Sequence, residues 1–188
     1  MTDAAFISDR GNVFEALFKE YGFTCQQIVP QAFGSPFCPP TKLLIVPAGF
    51  ADPKYYKVLP ALERNSEKIA EFIEKGGIVL ASGALLEDYE YDWLPMKLKY
   101  DMQFKARNVR IIKPDDPAAL LVKPGENECD GVFTEHDGET VMVRDDNMPV
   151  LVHKEYGKGH IIGSAVHEFP SKMFIEWACS KDREPLTI

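Results

Sequence analysis

Three short runs in this sequence combine residue types that chemistry needs with positions that expose them, each after a stretch that reads as a buried strand. Pro47-Ala48-Gly49-Phe50 follows the apolar run 43–46. A glycine there lets a backbone N–H approach a ligand closely, as an oxyanion donor would. Ala81-Ser82-Gly83-Ala84 ends the run 78–81. Small residues at a strand-to-helix turn are what a nucleophile elbow requires, and equally what any tight turn requires. Val166-His167-Glu168-Phe169-Pro170-Ser171 ends the run 159–166. A histidine at the carboxyl end of a strand, beside an acid, is a base and its orienter in outline. Adjacent strand residues point to opposite faces, so Glu168 does not automatically orient His167. The candidate ligand-binding residues are therefore Gly49, Phe50, Ser82, Gly83, His167 and Glu168. If the chain is an enzyme, Ser82 is the candidate nucleophile and His167 the base, with the Gly49 and Gly83 amides as the oxyanion site.

The other reactive side chains form no pattern. Cys25, Cys38, Cys129 and Cys179 are scattered, with no C-x-x-C pair for a zinc ribbon or dithiol site. The start has no signal-peptide pattern, so the expectation is a cytoplasmic chain with free, inert thiols. His153, His160 and His167 are spaced by seven, an odd offset that puts His160 and His167 on opposite faces of one strand. The densest metal-ligand cluster, Glu135-His136-Asp137, runs into Gly138 and reads as a solvated turn. No metal and no cofactor is expected.

The elements that must position these residues are legible mainly in the first half. Residues 4–7 read as a strand. Val13, Phe14, Leu17, Phe18 and Tyr21 form one helical face, with Asn12 available as a cap and Gly22 as the stop. Residues 23–29 read as a strand and 30–41, with four prolines, as a loop. The unalternating runs 43–46 and 78–81 suit buried parallel strands. Between them a helical region opens at Asp52-Pro53, restarts at Asn65-Ser66 and ends at Gly76-Gly77. This alternation predicts an α/β fold, a doubly wound, mostly parallel sheet with helices on both faces. In the second half 109–112, 140–143, 149–154 and 159–166 read as strands with short, hairpin-like connections. Residues 118–122 read as a helical turn. Ser171 opens a last helix with Met173, Phe174, Trp177 and Ala178 on one face. The acidic stretches 87–92 and 126–146 read as solvated loops. The aromatic stretch Tyr89, Tyr91, Trp93, Tyr100 and Phe104 reads as an interface patch or as a lid on the chain's own core.

The run LLIVPAGFADPKYY…IAEFIEKGGIVLASGALL resembles the class I glutamine amidotransferase-like superfamily. The branches it resembles are the amidotransferase-like domain of some biotin–protein ligases, the ThuA-like proteins and the trimerisation domain of β-galactosidases. Pro47-x-Gly49, Gly76-Gly77 and the elbow carry the match, and YGKGHIIGSAVHEFPS is similar to the family's last hairpin strand. The resemblance implies a flavodoxin-like fold over one domain, 1–188. It also implies that the catalytic apparatus is incomplete. Gly83 stands at the nucleophile position, or Ser82 in a register one residue shorter, where active members have cysteine. Phe169 stands where the family's His-Pro-Glu has its glutamate.

With 188 residues, 45% hydrophobic and 27% charged, the composition is that of a globular protein rather than a disordered one. The net charge of −8 argues against nucleic acid or anionic lipid as a partner. Three readings follow. The first is a non-catalytic amidotransferase-like domain binding a small molecule or a protein at the strand ends. The second is a diverged hydrolase or sugar-modifying enzyme using Ser82 and His167. The third is an oligomerisation module, which would make the chain a homo-oligomer.

Overall fold

The computed structural model describes residues 1–188. Its centre is built from the shortest and most apolar segments. β1 (Ala4–Ile7) and β3 (Leu43–Val46) are buried at every position, and β4 (Ile78–Ser82) at all but its last. Such strands need cover on both faces. β2 (Cys25–Ile28) lies at the edge and alternates more. The strand order is β2-β1-β3-β4, all parallel. From β1 the chain crosses one way to β2, and from β3 the other way to β4. Right-handed crossovers then set α1 (Glu15–Glu20) and α3 (Ser66–Glu74) on opposite faces. The short α2 (Leu59–Arg64) precedes α3, with Pro60 in its first turn, where a missing N–H costs nothing. Asn12 ties down the start of α1 by accepting from the Phe14 N–H at 3.1 Å and donating to the Cys25 carbonyl at 2.9 Å.

The sheet continues beyond β4 with β10 (Gly159–Ser164), parallel to it, and then β9 (Pro149–Tyr156), β8 (Glu139–Arg144), β6 (Leu98–Ile111) and β5 (Tyr89–Glu90), all antiparallel. β7 (Gly125–His136) pairs with β6 off this path. The result is a mixed sheet of ten strands, parallel at one end and antiparallel at the other.

Two sequence expectations fail here. Residues 126–146 are not solvated loops, because they form β7 and β8, with Cys129–Phe133 buried throughout. The strand expected at 109–112 is the end of one that begins at Leu98. β7 also touches the chain just after β10. Asp130 donates its N–H to the Ala165 carbonyl at 2.9 Å, and His167 donates to the Glu128 carbonyl at 2.7 Å. Strands β10, β9, β8, β6 and β7 therefore close on themselves as a ring.

The aromatic stretch turns mostly inward. Phe50 packs against Tyr89, Tyr91 and Trp93 with ring centroids 5.4–5.6 Å apart, and Tyr91, Trp93 and Tyr100 are buried. Phe104, on a bulged part of β6, stays exposed. The last helix, α4 (Lys172–Ala178), is capped by Ser171, whose Oγ accepts from the Phe174 N–H at 3.2 Å. It buries Phe174, Ile175 and Ala178, while Met173, expected on that face, points outward. No helix is long and apolar enough to cross a membrane.

Candidate functional site

The carboxyl ends of β1, β3, β4 and β10 surround a cleft of about 210 Å³. In open α/β sheets this edge is where ligands bind, at the point where strand order reverses, here between β1 and β3. Phe6, Phe14, Val166 and Phe169 give the cleft an apolar wall, continued by Pro47 and Ala48. Phe14 holds this wall together, edge-on to Phe6 at 4.9 Å and to Phe169 at 5.4 Å. The polar groups are Tyr56, Ser82, His167 and Glu168.

Behind His167 stands a carboxylate that no motif announced. Asp130 of β7 is fully buried, and its Oδ2 lies 3.8 Å from the His167 Nδ1. The cross-strand bonds on either side of Cys129 and Val166 put both side chains on one face. Asp130 Oδ1 accepts from the Tyr100 hydroxyl at 3.0 Å, whereas Oδ2 has no hydrogen-bond partner. Burial raises the Asp130 pKa, and the His167 ring and the Tyr100 hydroxyl oppose that rise. The same carboxylate raises the pKa of His167 against partial desolvation. The pair is arranged as a buried acid that favours the charged form of a cleft histidine.

The expected strand-end residues divide. Ser82 and His167 line the same cleft. Ser82 is held through its backbone, its carbonyl accepting from the Tyr91 hydroxyl at 2.9 Å, and no hydrogen bond joins its hydroxyl to His167. Glu168 also lines the cleft but is exposed, and no hydrogen bond joins it to His167. The Gly49 N–H is donated to the Gly83 carbonyl at 2.8 Å, so it is not free as an oxyanion donor. Gly49 has φ +78°, and its space is closed by Leu85 and Tyr55. Phe50 faces the buried aromatic cluster, not the cleft.

The elbow expected after β4 does not form. An elbow requires a helix after the strand. Here the chain turns instead into β5, because residues 89–93 fold onto Phe50. The strained backbone falls at Leu85, φ +56°, and not at Ser82 or Gly83. At Gly83 a Cβ would stand 2.3 Å from Asp130 Oδ1. The buried carboxylate fills the space that a side chain at position 83 would need.

The remaining reactive groups lie elsewhere. All four cysteines are buried thiols, and burial pushes Cys25 and Cys179 up to about 12 and Cys129 to about 11. Glu135 and Asp137 pair with Lys97 and Lys154. His160 meets His153 rather than His167. His153 Nδ1 lies 2.9 Å from Asp116 Oδ2, and its Nε2 lies 3.0 Å from His160 Nδ1. The His160 ring packs edge-on to Trp177 of α4.

Solved structures repeat this architecture. The chain is similar to a β-galactosidase from Rahnella sp. R3, with TM-score 0.57 and 16% identity over 97% of this chain and 31% of that one. It is similar also to a β-galactosidase from Bacillus circulans sp. alkalophilus, at TM-score 0.53 and 13% identity over 93% and 30%. A cytoplasmic protein from Salmonella typhimurium LT2 matches at TM-score 0.56 and 12% identity over 93% of both chains. What is shared is the fold. The chain spans under a third of these β-galactosidases and nearly all of the Salmonella protein. No family model matches the sequence, and no curated protein does. The structural neighbours agree with the fold that the resemblance implied, and a fold alone assigns no activity.

Proposed function

We propose that this chain is a non-catalytic, amidotransferase-like domain that binds a small molecule in the cleft at the strand ends. One observation carries the reading: Asp130 fills the space beside Gly83, which the resemblance sets at the nucleophile position in one of its two registers. Losing the nucleophile of a catalytic triad costs roughly 10⁶ in kcat. The four buried thiols, all pushed upward in pKa, offer no replacement. What persists is a concave apolar site with a few convergent polar groups, the usual form of a small-molecule pocket. Turnover of glutamine, p-nitrophenyl acetate and p-nitrophenyl β-galactoside tests the claim. Wild type and His167→Ala are expected to give equal rates.

A second reading, a hydrolase, rests on Ser82 and His167 lining one cleft with Asp130 behind the histidine. Serine, acid and histidine would then follow the chain order of α/β-hydrolase triads. Turnover by the wild type that Ser82→Ala and His167→Ala each abolish would establish it and overturn the first.

A further inference from the structure

His167 and the exposed Glu168 meet in the cleft, and only His167 has a buried carboxylate behind it that favours its charged form. His167 is half exposed, at 49% of its side chain, while the carboxylate that supports it is completely buried. Asp130 lies beneath the cleft floor, packed against Gly83 and bonded to Tyr100. A ligand entering the cleft meets the imidazole and not the acid. The charged groups around His167 are Asp130 and Glu128 from β7 and Glu168 from its own segment. β4 offers only Ser82, and β6 offers the uncharged ring of Phe104, 6.2 Å from the imidazole. Glu128 and Glu168 are exposed, so water and salt screen them. The imidazole shares the cleft with the apolar side chains of Phe6, Phe14, Val166 and Phe169.

We propose that the ligand of this cleft is a small monocarboxylate with an apolar or aromatic body, its carboxylate on His167 and its body against Phe14 and Phe169. The inference rests on the cleft being a binding site, and it adds the ligand's chemical class. Asp130 acts as the positioning residue. It supplies from β7 the acid that the resemblance would place at 169, where Phe169 instead walls the cleft.

Three probes of matched shape test this: phenylacetate, phenylacetamide and phenethylamine, titrated while backbone amide and His167 ring signals are followed by NMR. Phenylacetate is expected to bind about tenfold or more tightly than the amide, because a charge-assisted hydrogen bond exceeds a neutral one. Its Kd is expected to weaken as pH rises through the titration of the His167 ring, whose midpoint the same spectra give. In Asp130→Asn that midpoint and the onset of weakening move together to lower pH, a change that loss of packing alone would not produce. If Asp130→Asn does not fold, the wild-type pH profile remains decisive. Tighter binding of the amide or the amine at the cleft overturns the carboxylate assignment while keeping the cleft. A pH-independent Kd for phenylacetate overturns it too. If no probe shifts any cleft signal, the binding reading itself fails.

Discussion

Gly83 and Asp130 are packed so closely that position 83 has no room for a side chain, a Cβ there lying 2.3 Å from a carboxylate oxygen. Asp130 cannot simply withdraw, since it is fully buried and bonded to Tyr100. Gly83→Ala is therefore expected to destabilise the protein by about 1–3 kcal/mol, the usual range for overpacking. Urea unfolding followed by fluorescence measures this. Gly83→Cys, which places a thiol at one of the two positions that the resemblance sets opposite the amidotransferase nucleophile, is expected to be at least as unstable and to hydrolyse no glutamine.

Tyr100 supplies the only hydrogen bond that the Asp130 carboxylate accepts. Tyr100→Phe leaves a buried carboxylate oxygen without a donor, at a cost of about 1–3 kcal/mol. It also removes one of the interactions that oppose the upward shift of the Asp130 pKa. The acid then ionises at higher pH and supports the His167 charge less. The His167 ring titration should consequently move down in Tyr100→Phe, which proton NMR of the ring carbons reads directly.

Acid should weaken the fold through a different histidine. Burial, with help from His153 and Arg183, lowers His160 from 6.5 to about 4. Between those values the unfolded chain binds a proton that the folded chain does not, so stability rises with pH across this window. His160 contributes this stability above pH 6.5 and loses it as pH falls toward 4. His167 has the opposite sign. Its raised pKa contributes stability that is complete below pH 6.5 and is lost as pH rises through the folded value. The difference in Tm between wild type and His160→Gln should therefore change between pH 7 and pH 4.5, whereas a pH-independent difference would remove His160 from this role.

Phe50 stands beside Gly49 in sequence, yet it belongs to the core and not to the cleft. Phe50→Ala opens a void among Tyr89, Tyr91 and Trp93 and should cost about 3–5 kcal/mol. Phe169→Ala removes a half-exposed ring, so its effect on stability should be much smaller while its effect on phenylacetate binding should be larger. Denaturation and titration of the two variants together separate core from cleft.

The sequence readings succeed where local pattern and burial coincide. The runs 4–7, 43–46 and 78–81 are apolar throughout because both faces of each strand are covered. The place of Ser82 at the sheet edge was legible because it ends such a strand, and His167 follows β10 by three residues. β6 and β7 were not legible. In β6, residues 102–106 are exposed without any alternation of polar and apolar side chains, and partners distant in sequence make them a strand. In β7, the acids at 126, 128 and 130 dominate the composition, although Asp130 is buried and the other two are exposed. Asp130 had one sign in the sequence, its place as the last acid before the apolar run Gly131-Val132-Phe133. Its meaning depends on a pairing with residues 165–167 that no local pattern encodes. The elbow was misread for a related reason. Small residues after β4 fit a helix turn or a tight turn equally well, and the aromatic residues that follow decide between them.

The most direct test of the account is amide chemical-shift mapping of the wild-type protein against a library of small carboxylates, amides and amines. The account predicts that shifts cluster on Phe6, Ala48, Ser82, Val166, His167 and Phe169 and that His167→Ala abolishes them. Binding that maps away from these residues, or that survives the loss of His167, would contradict it.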